Sequence, residues 1–158
     1  MAIDELAKPQ GTWCPHCKPG RGCSLYGAHP ASCQSFQCGW LANLDMPDEV
    51  RPDRSKVVLD IDSDGNRVIA RCDPGHPMAW QREPIHAQLR RWSALGWERG
   101  QMVLAMTNRR LWLIAPKEDV YVGEIDPNSP FAIAERHDGS ISVTIMPVVT
   151  LQTPILGS

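Results

Sequence analysis

"KVVLDIDSDGNRVIARC", residues 56–72, is the stretch that sets the fold class. Two runs rich in valine and isoleucine flank a polar turn, and Asp64 and Gly65 supply the residue pair that closes a tight hairpin. The stretch therefore reads as strand, turn, strand. Towards the C-terminus, "PIHAQLRRWSALGW" (84–97) reads as a helix, because Ile85, Leu89, Trp92 and Leu95 recur on one face. Pro84 suits its first turn and Gly96 its C-terminal cap. "QMVLAMTNRRLWLIAP" (101–116) reads as a second hairpin and "VYVGEI" (120–125) as a short strand. "FAIAERHDGSISVTIMP" (131–147) reads as a third hairpin, turning at Asp138 and Gly139. The expected architecture is α+β: an antiparallel β-sheet with one main helix, and a small cysteine-rich metal-binding N-terminal segment packed on it. Residues 1–45 form that segment, residues 46–158 form the sheet and helix, and the proline- and charge-rich residues 45–54 join them.

The chain has 158 residues, enough to bury a core without covalent staples. Its formal net charge of -2 argues against a general nucleic-acid binder, which needs many cations to displace phosphate counterions. The basic pairs Arg90 and Arg91, and Arg109 and Arg110, read as solvated faces or hairpin tips. No run of eighteen apolar residues occurs, so no membrane partner is expected. The apolar end of the chain is broken by Pro147 and Pro154. The opening "MAIDELAKPQ" lacks a secretion-signal pattern. The expected location is the cytoplasm, where thiols stay reduced and clustered cysteines point to metal or redox chemistry.

Working back towards the N-terminus, residues 12–40 carry five of the six cysteines and few aliphatic side chains. Such a segment buries too little apolar surface to offset its own ordering entropy. A bound metal supplies the missing folding energy. The spacing is C-x2-C-x5-C-x9-C-x4-C, with candidate metal ligands Cys14, Cys17, Cys23, Cys33 and Cys38. A C-x2-C pair lets two sulfurs meet one cation, and four thiolates satisfy tetrahedral Zn2+. The same donors suit iron or a [4Fe-4S] cluster. Five thiols exceed either need by one, and the sequence leaves open which four ligate. A thioredoxin-like redox pair at Cys14 and Cys17 is the weaker reading, because no strand precedes it.

"GCSLYGAHPASCQSFQCGW" (22–40) resembles the C-x-[IL]-Y-x-x-[RH]-P-x-x-C-x-x-F signature of the YkgJ-type cysteine-cluster family. The matching positions are Cys23, Leu25, Tyr26, Pro30, Cys33 and Phe36. The resemblance spans about residues 12–40 and implies a bacterial zinc- or iron-chelating domain. This chain departs from the family in opening with only Cys14 and Cys17 rather than a denser cysteine run, and in carrying His29 and Gln34 where arginines are usual. The cysteine motif is also similar to that of flagellin lysine methylases, which carry an iron–sulfur cluster. No glycine-rich cofactor loop follows a strand here, so methylase activity is not implied. Tyr26, Phe36 and Trp40 are expected to shield the sulfurs from water.

Other motifs weigh less. "DIDSDG" places Asp60, Asp62 and Asp64 like the first ligands of a calcium loop, but the twelfth position is Arg71 rather than glutamate. Cys72 and His76 have a C-x3-H spacing that could add to the N-terminal site, although a thiol at a strand end is commonly a core residue. His86 is expected to lie exposed, opposite the apolar helix face, and His137 in a turn. Neither belongs to a nucleophile elbow or triad pattern. Trp80, Trp92, Trp97 and Trp112 read as core or interface anchors. The functional expectation is a non-catalytic metal-binding protein whose site supports a surface for a protein partner. The alternative is an iron–sulfur protein in electron transfer, metal sensing or metal delivery. A catalytic metal ranks last, because four or five thiolates saturate it.

Overall fold

The computed structural model describes residues 3–9, 12, 14–18, 21–36, 38–42, 46–61, 65–125 and 130–146. Its centre is a five-stranded sheet of spatial order β3-β4-β5-β6-β7, built from β3 (Val57–Ile61), β4 (Arg67–Cys72), β5 (Met102–Thr107), β6 (Arg110–Ile114) and β7 (Asp119–Glu124). The hairpin foreseen at residues 56–72 forms, with Leu59 opposite Ala70 and Val57 opposite Cys72. Residues 62–64 of its turn, and with them two of the three calcium-loop aspartates, lie outside the described residues.

The sheet is mixed, not antiparallel as expected. β4 and β5 run parallel, with Arg67 opposite Met102 and Ala70 opposite Ala105. The reason is the helix between them. After Cys72 the chain makes a 3-10 turn at Ala79–Gln81, runs through α4 (Ile85–Gly96) and returns beside the start of β4. Parallel neighbours need such a long crossover, whereas a hairpin turn forces antiparallel pairing. The hairpin of β8 (Phe131–Glu135) and β9 (Ile141–Ile145) also stays apart as its own two-stranded sheet.

Strand alternation sorts the side chains into two cores. On one face Val57, Leu59, Ala70, Val103, Ala105 and Ile114 pack with Trp80, Ile85 and Leu89 beneath α4. On the other, Ile69, Leu104, Met106, Leu111 and Leu113 pack against Phe131, Ile133, Ile141 and Val143 of the β8–β9 hairpin. The layers are thus helix, sheet and hairpin, an α+β arrangement.

α4 forms as predicted but buries a different face. Ile85, Leu89, Ser93 and Gly96 are inside, while Leu95 is 62% exposed and Trp92 half-buried. The inward row therefore runs through small residues that the apolar spacing did not mark. Gly96 is not the left-handed cap either. The chain continues through a 3-10 turn at Trp97–Arg99, and the left-handed residue is Gly100, at φ 72°.

The N-terminal residues meet the sheet through α2 (Gly39–Ala42), which packs on β3. A Cβ placed on Gly39 would stand 3.0 Å from Leu59 Cβ, so glycine permits this close approach. Trp40 donates its indole N–H to the Pro47 carbonyl at 3.2 Å. A 3-10 turn at Asp48–Val50 and α3 (Pro52–Ser55) complete the link to β3. Among the described residues no helix is long and apolar enough to cross a membrane.

Candidate metal centre

Four of the five clustered cysteines sit on a miniature hairpin, the turn that feeds it and one short helix. Cys14 opens a turn in which the Cys17 amide donates to the Cys14 carbonyl at 3.0 Å. That turn feeds β1 (Cys17–Lys18), which pairs antiparallel with β2 (Gly22–Cys23). Cys17 and Cys23 are directly opposed across the ladder. Opposed Cβ atoms in an antiparallel pair lie about 5 Å apart, within reach of a shared ion. The Ser24 amide donates to the His16 carbonyl at 2.8 Å and holds the knuckle against the returning strand. His16 is half-buried, and its carbonyl is thus engaged in the backbone frame.

Cys33 comes from α1 (Ala31–Ser35), which begins after Pro30. Glu5 anchors this helix from the preceding chain. Its carboxylate accepts the Ser32 amide at 3.1 Å and the Ser32 hydroxyl at 2.8 Å. Its own backbone amide and these Ser32 donors hold the Glu5 carboxyl below the usual carboxylate range. Loss of solvent pushes the Cys33 thiol up, and the nearby Cys14 and Cys23 sulfurs push it further, with Glu5 adding and Lys8 opposing. Cys14, Cys23 and Cys33 therefore share one electrostatic neighbourhood, and Cys17 faces Cys23 across the hairpin. These side chains do not close into a cage: among the described residues no three His, Cys, Asp or Glu form a group that could hold a metal ion. As a donor set they fit zinc or iron, being soft thiolates on a backbone that brings two of them face to face.

Cys38 differs from the other four. It is buried beside Gly39, where α2 meets β3, and its carbonyl accepts the Ala42 amide at 3.0 Å. Cys72 is a core thiol of β4, also buried. Burial pushes it up, against the pull of the Trp80 amide, the Thr107 hydroxyl and the Ala79 amide. His76 is placed by its own turn, with its ring 3.5 Å from the Asp73 carboxylate.

The aromatic shell expected from the sequence is not built as foreseen. Tyr26 is 86% exposed and stacks on His29, with ring centroids 5.5 Å apart. The His29 ring accepts the Gly27 amide at 3.2 Å, and Gln34 donates to the His29 carbonyl at 2.7 Å. His29 and Gln34 thus bind to each other locally. Trp40 faces the sheet core, with the Arg51 guanidinium 5.9 Å from its ring centre.

A second polar cluster escaped the sequence reading. His86 is not exposed but half-buried, with Nε2 2.9 Å from Asp119 Oδ2. Arg90, one turn on, is not a solvated cation. Its Nη2 lies 2.9 Å from Asp119 Oδ1, an ion-pair distance without hydrogen-bond alignment, and its Nη1 donates to the Ala115 carbonyl at 3.1 Å. The i,i+4 spacing of His86 and Arg90 was visible, but their partner stands on another strand. Trp80, fully buried, meets His86 edge-on and continues through Trp112 to Tyr121 at centroid separations of 5.7 and 5.2 Å. No nucleophile joins the cluster among these contacts, and it ties α4 to β7.

Comparison with protein-family models, with curated proteins and with solved structures finds no match for this chain.

Proposed function

We propose that residues 14–38 bind one Zn2+ through cysteine thiolates, as a non-catalytic structural site, and that the protein uses the ordered fold to present a surface to a protein partner in the cytoplasm. Cys14, Cys17, Cys23 and Cys33 are the first four ligands, with Cys38 the fifth candidate at the contact with the sheet. One observation carries this reading: between Thr12 and Phe36 no side chain whose burial is described is buried, yet the stretch forms a hairpin, with Cys17 opposite Cys23, and a short helix. Apolar packing does not supply the energy for that order, and a metal would. The likeness of residues 22–40 to the YkgJ-type signature supports the same assignment.

The test is elemental analysis with an absorption spectrum on protein purified without oxygen. The expected result is a colourless protein with one equivalent of zinc. Cys17→Ser and Cys33→Ser should each weaken zinc binding by about tenfold or more, and Cys72→Ser should leave it unchanged. A brown protein with bound sulfide would replace zinc by an iron–sulfur cluster, and structural support by electron transfer, metal sensing or delivery. A folded, metal-free protein with an ordered N-terminal segment would end the proposal.

A further inference from the structure

The β8–β9 hairpin breaks its own pattern at one residue. Strand alternation puts Phe131, Ile133 and Glu135 in one row, opposite Ile145, Val143 and Ile141 of β9. Phe131, Ile133, Ile141 and Val143 all pack on the sheet core. Glu135 ends this row with an exposed carboxylate. Among the described residues that carboxylate has no hydrogen-bond or ion-pair partner, and its strand neighbour is Ile141.

Two adjoining cavities open on either side of it. One, of about 340 Å³, is walled by Trp97, Met102, Phe131, Ile133 and Glu135. The other, of about 240 Å³, shares Trp97 and Glu135 and reaches Glu98, Lys117 and Glu118. The opposite wall is fixed: the Gln101 amide donates to the Gly96 carbonyl at 3.1 Å, and Gln101 Nε2 donates to the Gly65 carbonyl at 3.4 Å. Three carboxylates face one ammonium around the pair of cavities. Glu118 already accepts the Ile141 amide at 2.7 Å, whereas Glu98, like Glu135, has no partner among the described residues.

An aromatic and aliphatic slot with an unpaired carboxylate at its rim matches a cation on an alkyl stem. The stem buries against Phe131, Ile133 and Met102, and the charge meets Glu135 beside the Trp97 ring. An anion would be repelled, and a purely apolar occupant would cover the exposed carboxylate without supplying a counter-charge. We propose that the Trp97–Glu135 groove docks a lysine or arginine side chain of a partner polypeptide. This names the chemistry of the protein partner in the reading above. It rests on that reading's interaction surface and not on its metal.

The test is a titration of the full-length protein, followed by amide and indole N–H resonances, with a short end-blocked peptide carrying one central lysine. The same peptide with norleucine or glutamate at that position serves as comparison. The expected result is that the lysine peptide shifts the Trp97 indole and the β8 amides, that glutamate abolishes binding, and that norleucine binds at least about fivefold more weakly. Glu135→Gln should cut lysine-peptide affinity about fivefold while keeping the β8–β9 amide pattern, and Lys117→Gln should leave affinity unchanged or raise it. Equal binding of lysine and norleucine peptides, undiminished binding by Glu135→Gln, or no shift at Trp97 would overturn the proposal. Metal content measured on the same sample keeps this outcome separate from the fate of the zinc reading.

Discussion

Gly96 ends α4 with its Cα facing Gln101, and a Cβ built there would stand 2.7 Å from Gln101 Oε1 and 2.8 Å from Gln101 Cβ. The amide end could swing away, but the Cβ is fixed to backbone that also donates to the Gly96 carbonyl. Alanine is the better helix former by about 1 kcal/mol, so propensity alone predicts a gain. The overlap should win: Gly96→Ala is expected to destabilise the fold by about 1–2 kcal/mol, read as a lower urea midpoint at unchanged m-value. At the other end of the chain, Arg51 grips Asp53 through Nε at 2.6 Å and Nη2 at 2.8 Å. That grip lowers the Asp53 carboxyl from 3.8 to about 2. A carboxyl depressed on folding stabilises the folded state above its unfolded value and loses that contribution as pH falls through its folded one. The window is therefore pH 3.8 down to about 2. The side-chain carboxyl resonance of Asp53 should titrate there, and Arg51→Gln should return its midpoint towards 3.8. A midpoint unmoved by Arg51→Gln would show that the guanidinium is not the cause.

The elements themselves were largely readable, and their neighbours were not. The three hairpins and α4 announce themselves through local signals: valine-rich runs, turn glycines and helical spacing act over a few residues. The parallel pairing of β4 with β5 has no local signal, because it depends on where the chain returns after α4. The same holds for His86 and Arg90, whose solvent-facing positions on a helical wheel became half-buried once β7 brought Asp119 beside them. The candidate thiols stood out by spacing, but the sequence treated all five alike. Only the fold separates Cys38, buried at the α2–β3 contact, from the four near the hairpin. The Asp119 clamp can be measured as an element-level coupling. A double-mutant cycle with Arg90→Ala and Asp119→Ala should give an interaction energy of about 1 kcal/mol, since both side chains are three-quarters or more shielded yet still reached by water. A coupling near zero would mean that the Arg90–Asp119 pair adds nothing to the hold of α4 on β7.

At the scale of the whole molecule, the N-terminal stretch and the sheet differ in what they bury. The sheet buries Leu59, Trp80, Leu89, Leu104, Leu111 and Leu113 and has a core on each face. The stretch from Thr12 to Phe36 has no described buried side chain and reaches the sheet through Cys38, Gly39 and Trp40. If zinc is what holds the cysteines together, chelation should act on the two parts unequally. Stripping the metal should abolish hydrogen-exchange protection at the Cys17 and Ser24 amides, which close the knuckle, because no side chain described between Thr12 and Phe36 is buried to oppose their local opening. Protection at Leu104 and Leu113, at the centre of the sheet, should stay within about tenfold of the metal-bound value. Global unfolding on chelation would make the site a support of the entire fold. Unchanged protection at Cys17 and Ser24 would instead mean that their backbone hydrogen bonds hold the segment without a metal, and the structural role proposed for the thiolates would fall.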